Sequence, residues 1–254
     1  MTRYLAYCQG DILLTSKGNI PFGDEPPVPL KPWNCVTSLH VGADEVKIIR
    51  LDNPVTCLDG FEMVGLRKTH AVLSPEDYQL AGKGAELVYW DQNTKYCGVC
   101  GAPTRWMTDI SKKCTECGKE WWPSPSTAII VRVTRSLSED SILLVRARNF
   151  RGSHYGLVAG FLETGESLEQ CVEREVREEI GIKIKNLKYF GSQPWPYPFG
   201  LMVGFTAEYD EGEIHLQKEE LSEGGWFTRD NMPPIPDKAS IARRLIDDWL
   251  NTQA

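Results

Sequence analysis

The spacing of apolar and polar positions divides this chain into segments before any single residue does. Residues 1 to about 91 mix short apolar runs with turn residues. Among them KIIRL (47–51) alternates as a strand does. SPEDYQLAGKGAELVYW (74–90) opens with Ser74 as an N-cap, Pro75 at the first helical position and acids in the first turn, which predicts a helix. Gly82 and Gly84 are expected to break or end it. DEPPVPLKP (24–32), with four prolines, reads as a loop. From about residue 124 the texture changes. TAIIVRV (127–133) and SILLVRA (141–147) predict paired strands, and YGLVAGF (155–161) another. LKYFGS, LMVGFTAEY and EIHL follow as further strands, and an amphipathic helix is expected over roughly 238–251. Strands outnumber helices in a mixed β/α pattern without repeats.

One more helix carries an unusual distribution of charge. Ser167 with Gln170 forms a capping box, and Gly181 is a C-terminal stop, so the helix spans about 168–180. At about 100° per residue, Leu168, Val172, Glu175 and Glu179 share one face. Cys171 and Glu178 flank that face on one side and Val176 on the other, while Gln170, Arg174 and Arg177 point away. The inward stripe is therefore apolar for two turns and then acidic. Between Glu163 and Glu179 the segment holds seven Glu and two Arg. Carboxylates about 6 Å apart repel by roughly 2–3 kcal/mol per pair at an effective dielectric near 20. A divalent cation reverses that sign, and carboxylate oxygens suit Mg²⁺ or Mn²⁺. The alternative is a surface helix laced by Glu–Arg pairs.

Charge and cysteine usage narrow the setting. The 254 residues carry a net charge of −7, which argues against a bulk nucleic-acid binder. Arg132, Arg135, Arg146, Arg148 and Arg151 fall close together, either as a local basic patch or as a solvated face on edge strands. No apolar run reaches the ~20 residues of a membrane span. The opening MTRYLAYCQGDILL does not read as a signal peptide, so the cytoplasm is the expected compartment.

Residues 92 to about 123 contain Cys97-Gly-Val-Cys100 and Cys114-Thr-Glu-Cys117. Four thiolates at this spacing suit one tetrahedral Zn²⁺ with no open position, a structural site. Gly101 and Gly118 after each pair ease the left-handed turns required. Two disulfides or a redox CxxC are the competing readings. Cys8, Cys35, Cys57 and Cys171 are scattered and read as small buried hydrophobes.

Gly160, Glu166 and Arg174-Glu175-Val176-Arg177-Glu178-Glu179-Ile180-Gly181-Ile182 match the box GX5EX7REUXEEXGU at every fixed position. The chain thus resembles the Nudix hydrolases, which cleave a nucleoside diphosphate linked to another group. The resemblance implies an α/β/α sandwich around a mixed sheet, with Glu175, Glu178 and Glu179 as metal-binding acids and Arg174 orienting them. Ser192-Gln193-Pro194-Trp195-Pro196-Tyr197-Pro198-Phe199-Gly200 follows. Its alternating prolines predict an extended polyproline-like loop displaying Trp195 and Tyr197, either to stack on a flat ring or to cover the core. It resembles the SQPWPFPxS array of NADH pyrophosphatases, with Tyr197 for Phe and Gly200 for the final Ser. That subgroup carries a four-cysteine zinc ribbon and an extra N-terminal domain. The implied organisation is an α/β N-terminal domain over 1–91, a zinc ribbon over 92–123 and a Nudix domain over 124–254.

By the same resemblance Phe161 stacks on the nicotinamide or adenine ring, and residues 193–200 shape its pocket. The Ala159 carbonyl and Glu220 join Glu175 and Glu179 around Mg²⁺ or Mn²⁺. Trp122, Ala242, Lys17 and Arg67 are expected to contact substrate. The implied reaction is water attack on the pyrophosphate of NADH or NAD⁺, giving nicotinamide mononucleotide and AMP, with Glu178 or Glu179 as general base. The subgroup also removes NAD caps from RNA, and a homodimer with a shared pocket is implied. Broader hydrolysis of ADP-ribose or dinucleoside polyphosphates, and non-hydrolytic nucleotide sensing, are the other readings.

Overall fold

The computed structural model describes residues 1–136, 140–148 and 152–252. The chain divides into two compact units, Met1–Pro125 with Trp195–Phe199, and Ser126–Pro194 with Gly200–Ala254.

The first unit is built on β1 (Thr2–Cys8), β2 (Asp11–Thr15), β3 (Phe22–Gly23), β4 (Cys35–Val41), β5 (Asp44–Arg50) and β6 (Phe61–Gly65). They run in the order β4-β5-β1-β2-β6, with β3 paired to β1. β1 and β5 are parallel. Period-two alternation sends successive β1 side chains to opposite faces. Leu5 and Tyr7 join the core under α1 (Pro75–Asn93), whereas Tyr4 and Ala6 pack on the other side with Leu13 and Ile49.

Helix α1 begins as expected, with the Ser74 hydroxyl accepting from the Asp77 amide. It does not end at its glycines. Gly82 and Gly84 are buried mid-helix. A Cβ at Gly84 would overlap the Tyr7 hydroxyl and press on Leu5, and one at Gly82 would lie 3.2 Å from Pro196 Cγ. These glycines bring backbone close to β1 and Pro196, and that packing outweighs their weak helix propensity.

A small sheet follows, with β7 (Thr104–Thr108), β8 (Ser111–Cys114) and β9 (Glu120–Trp121) in sequence order. Lys112 on β8 is buried, with Nζ 2.7 Å from Asp91 Oδ1 and 5.3 Å from the Trp90 and Trp106 ring centres. It also donates to the carbonyls of Asp91 and Thr94 at the end of α1. A cation is stabilised there by the helix's negative end.

The second unit contains β10 (Ser126–Ser136), β11 (Asp140–Ala147), β12 (Val158–Phe161), β13 (Lys183–Trp195), β14 (Gly200–Glu211) and β15 (Leu221–Thr228). The order is β13-β14-β10-β11-β15, with β12 on β10. β10 and β14 are parallel and β10 and β11 antiparallel, so the sheet is mixed. Helix α2 (Leu168–Ile180) packs on the face of Ile129, Val131, Val133, Leu143 and Val145. Helix α3 (Ile241–Asn251) packs on the opposite face, against Ile130, Ile142 and Leu144. The unit is the expected α/β/α sandwich.

Several local expectations change. β12 starts only at Val158, because Gly156 instead bridges Val145 with paired backbone bonds of 2.7 and 3.0 Å. EIHL forms no strand. The His215 and Gln217 amides donate to the carbonyls of Ile180 and Glu179 at 2.8 and 2.9 Å, closing the end of α2. LSEGGWFT forms β15 although its glycines hide the pattern. Residues 196–199 make a turn between β13 and β14, with a cis Tyr197–Pro198 bond, not an extended polyproline loop. Cys8 and Cys171 are buried, but Cys35 and Cys57 are exposed.

Arg132 and Arg135 on β10 and Arg146 on β11 do not lie on edge strands, since both strands are interior to the sheet, and Arg148 is in the turn after β11. Arg132 pairs with Asp248 at 2.5 Å, Arg146 with Glu223 at 3.0 Å, and Arg135 sits 4.5 Å above Trp226. Arg151 lies outside the described residues.

Candidate active site

α2 gains its position from apolar anchors. Cys171, Val172, Val176 and Ile180 are fully buried, each of the larger ones contributing about 1.5–3 kcal/mol. The capping box is complete, with Ser167 and Gln170 exchanging both bonds, and Gly181 closes the helix at φ +84°. Glu175 and Glu179 share the anchored face and are carried inward with it, 9% and 5% exposed. The acids therefore occur on the core side, as the face analysis expects.

Arg174 does not point away. Its side chain folds back into the site, contacting Glu166 Oε1 at 2.7 Å, Glu175 Oε1 at 2.8 Å and Glu178 Oε2 at 3.2 Å. It also donates to the Phe161 carbonyl at 3.1 Å. A long guanidinium with five donors reaches partners that a residue's angular position on the helix does not reveal. Arg174, with the Glu163 amide, holds the Glu166 carboxyl down at about 2. Burial raises Glu175, and Arg174 opposes that rise. Among the described residues Glu179 has no such partner. Burial first, then Glu175, Glu220 and Glu178, push it up to about 8.

Gly160 explains part of the box. A Cβ there would overlap the Glu175 carboxyl group, so only glycine lets that acid lie against β12. Two residues earlier in the same strand's pairing, Val158 is core, while Phe161 is 67% exposed and free of the core.

Ala159, Glu179 and Glu220 line one cavity of about 260 Å³. His154 lines it too, a residue the sequence did not single out because a lone loop histidine has no periodic signal. The donor set fits a hard dication. Anionic oxygens converge on a partly buried site where, among the described residues, no cation pairs with Glu179, and Mg²⁺ normally keeps waters and substrate phosphates beside a few carboxylates. Among the described residues the acids do not draw together as a closed ligand cluster, unlike the cysteines.

Cys97, Cys100, Cys114 and Cys117 place their sulfurs within 4.8 Å of one another. Two of the separations are 3.7 and 3.4 Å, where a tetrahedron of ~2.3 Å Zn–S bonds has edges of about 3.8 Å. Gly101 and Gly118 take φ of +76° and +73°, the left-handed turns expected after each pair. The Cys97 thiol is drawn down to about 6, first by the Cys100 backbone amide. Four protein sulfurs fill a zinc tetrahedron, so this is a structural ligand set.

The remaining candidates are spread over the two units. In the second, Gln193 is committed to backbone, donating to Ala239 O at 2.8 Å and accepting from the Ile241 amide at 2.6 Å. Ala242 is half-buried in the first turn of α3. In the first, Tyr197 and Tyr78 share a hydroxyl contact of 2.5 Å, and Phe199 meets Tyr89 at 5.9 Å between ring centres. Those two aromatics cover the core. Arg67 lies 5.5 Å from the Trp195 ring centre. Pro196 is buried, Pro194 and Pro198 are exposed, and Lys17 is exposed on the turn after β2. Trp122 is 54% exposed.

The sandwich and its acid-bearing helix define a Nudix pyrophosphohydrolase, and the chain belongs to that family: the NUDIX domain matches residues 123–249. It is similar to the "NAD-capped RNA hydrolase NudC" of Pseudomonas aeruginosa, 40% identical over 214 residues, covering 83% of this chain and 75% of that protein. The protein of the same name from Salmonella heidelberg is 46% identical over 172 residues, 67% of this chain and 66% of its own length. A crystal structure of a NUDIX hydrolase from Nitrosomonas europaea covers 61% of this chain and 90% of its own, with a TM-score of 0.51 and 19% identity, a likeness of fold.

Proposed function

We propose that this chain hydrolyses the pyrophosphate of NADH or NAD⁺, giving nicotinamide mononucleotide and AMP, and removes NAD caps from RNA 5′ ends. The observation that carries the reading is the partly buried acid set of α2, in which Glu179 is crowded by Glu175, Glu220 and Glu178 and a dication would relieve the repulsion of their ionised forms. The relatives named for NAD-capped RNA support the substrate.

In this reading Glu175, Glu179, Glu220 and the Ala159 carbonyl hold Mg²⁺ or Mn²⁺, which when bound neutralises phosphate charge and acidifies water. Glu178, whose side chain is 55% exposed, is left to accept a proton from the attacking water. Arg174 fixes Glu175 and Glu178 by direct contact and Glu166 locks Arg174. Exposed Phe161 offers a face to the nicotinamide or adenine ring. Trp195 of the 193–200 segment, with Trp122, Ala242, Lys17 and Arg67, completes substrate recognition, while Gln193, Tyr197 and Phe199 hold that segment in place. The chain comprises an N-terminal domain over 1–91, a zinc ribbon over 92–123 and a Nudix domain over 124–254, and works as a cytoplasmic homodimer.

The test is product analysis with NADH, NAD⁺, ADP-ribose and NAD-capped RNA, each with Mg²⁺ and Mn²⁺. Nicotinamide mononucleotide from NADH and NAD⁺, and a 5′-monophosphate from capped RNA, are expected. Glu178→Gln should fold and keep zinc while losing at least about 100-fold in turnover. Wild-type turnover in that variant rejects the assignment, and preference for ADP-ribose over both dinucleotides rejects the substrate.

A further inference from the structure

The first unit contains a cavity of about 680 Å³, in the size range of small-molecule sites and lined by none of the acids on α2. Its walls include Arg50, Tyr89, Pro196, Pro198, Gln9 and Gln92. We propose that this cavity binds a nucleoside monophosphate, with the base against Tyr89 and the two prolines and the phosphate on Arg50.

Arg50 is held by its backbone, not by its side chain. Its amide donates to Asn34 O and its carbonyl accepts from Asn34 Nδ2, both at 2.8 Å. Among the described residues the guanidinium has no hydrogen bond or ion pair, and Arg50 lines the cavity from the strand face it shares with Val46 and Ile48, the face under α1. An uncommitted guanidinium in a partly enclosed site is matched by a phosphate, which it meets with two parallel N–H donors. The other charge in the wall, Asp52, is already engaged by Lys31 Nζ at 3.0 Å and Trp33 Nε1 at 3.3 Å. It therefore does not neutralise Arg50.

The rest of the wall suits a flat ring. The Tyr7 hydroxyl donates to Ala81 O at 2.6 Å, and the Tyr197 hydroxyl is taken by Tyr78. With those polar atoms spent, the wall presents carbon surface, and Tyr89 adds an aromatic face that is 38% exposed. Gln9 and Gln92 stand exposed at the rim, and neither amide has an internal partner among the described residues. Gln9 holds a φ of +51°, a conformation carried by the tight β1–β2 turn with Gly10. Paired amide donors and acceptors are what a base edge such as that of adenine presents in return.

Hydrolysis of a dinucleotide releases ligands of this class, so the site would report on product; that link alone rests on the proposed function. The cavity shares Pro196 and Pro198 with the 193–200 segment, so occupancy would bear on that segment directly.

The experiment is calorimetric titration of the full zinc-loaded chain with AMP and with nicotinamide mononucleotide, without Mg²⁺ or Mn²⁺. Without a dication the α2 acids repel phosphate, which isolates the proposed site. One site per chain is expected for at least one of the two ligands. Arg50→Gln should weaken it by about tenfold or more, the worth of a charge-assisted hydrogen bond. Gln92→Glu, on an exposed helix position, should weaken it through like charge, whereas Glu178→Gln should leave it unchanged. Adenosine and inorganic phosphate should each bind more weakly than AMP. No binding of either mononucleotide at millimolar concentration overturns the proposal, as does binding equal in wild type and Arg50→Gln, or phosphate binding as tightly as AMP. Because the assay involves no turnover, its failure leaves the hydrolase reading intact, and a chain that binds AMP but does not cleave NADH fails only that reading.

Discussion

Glu179→Gln removes a charge that the fold holds at a cost, and the size of that cost follows from the site. The side chain is 5% exposed, and its carboxyl is pushed from 4.5 to about 8 by burial and then by Glu175, Glu220 and Glu178. An acid whose pKa rises on folding destabilises the native state once it ionises. The penalty is absent below about pH 4.5, grows as pH climbs, and is complete above about pH 8. At about 1.4 kcal/mol per pKa unit the full penalty is roughly 3–5 kcal/mol, the lower figure allowing for water at the cavity mouth. Gln carries no charge, and whatever its buried amide costs, about 1–3 kcal/mol, does not vary with pH. Urea unfolding of both proteins, zinc-saturated and without Mg²⁺ or Mn²⁺, should therefore show the variant gaining on wild type by roughly 3–5 kcal/mol between pH 5 and pH 9. Adding Mg²⁺ at pH 8 should stabilise wild type more than the variant, because binding to the native state adds to its stability. Parallel stability curves across that pH range would refute the account of Glu179 as a buried acid awaiting a cation.

Gly160→Ala should leave the fold intact and reduce hydrolysis at least about 100-fold, because the new Cβ takes the space of the Glu175 carboxyl; unchanged turnover would mean that this acid does not need to lie against β12. Gly84→Ala tests the close approach of α1 to β1. Helix propensity alone predicts a gain of about 1 kcal/mol, but overlap with Tyr7 and Leu5 should give a net loss of about 1–3 kcal/mol in chemical denaturation. Cys97→Ser should release zinc and lower the thermal midpoint of the first unit, read by metal analysis and calorimetry; a variant that keeps stoichiometric zinc would count against the four-sulfur site.

How much of this was legible beforehand depends on the range of the interaction. Helix α2 was readable to its ends, because Ser167, Gln170 and Gly181 act within one turn of the backbone they satisfy. The face that buries Glu175 and Glu179 was readable too, since a 3.6-residue period fixes which side chains accompany the apolar anchors. The four thiols at CxxC spacing were equally local within each pair, and the fold had only to join the two pairs.

Other features lay beyond local pattern. Gly82 and Gly84 read as helix breakers until Tyr7, Leu5 and Pro196 were found against them. EIHL alternates like a strand, yet its amides serve the open carbonyls at the end of α2. Tyr197 and Phe199 are core-covering residues only because Tyr78 and Tyr89 stand on a helix more than a hundred residues earlier in the chain.

The sequence by itself determined where α2 starts and stops, which residues can ligate a metal, and which face of α2 turns inward, since each depends on neighbours within a few positions. Tertiary structure alone decided which carboxylate, among the described residues, lacks a compensating cation, where a glycine must remain bare, and which loop aromatics are used up in packing. Those outcomes depend on burial and on contacts between distant segments, which no local periodicity encodes.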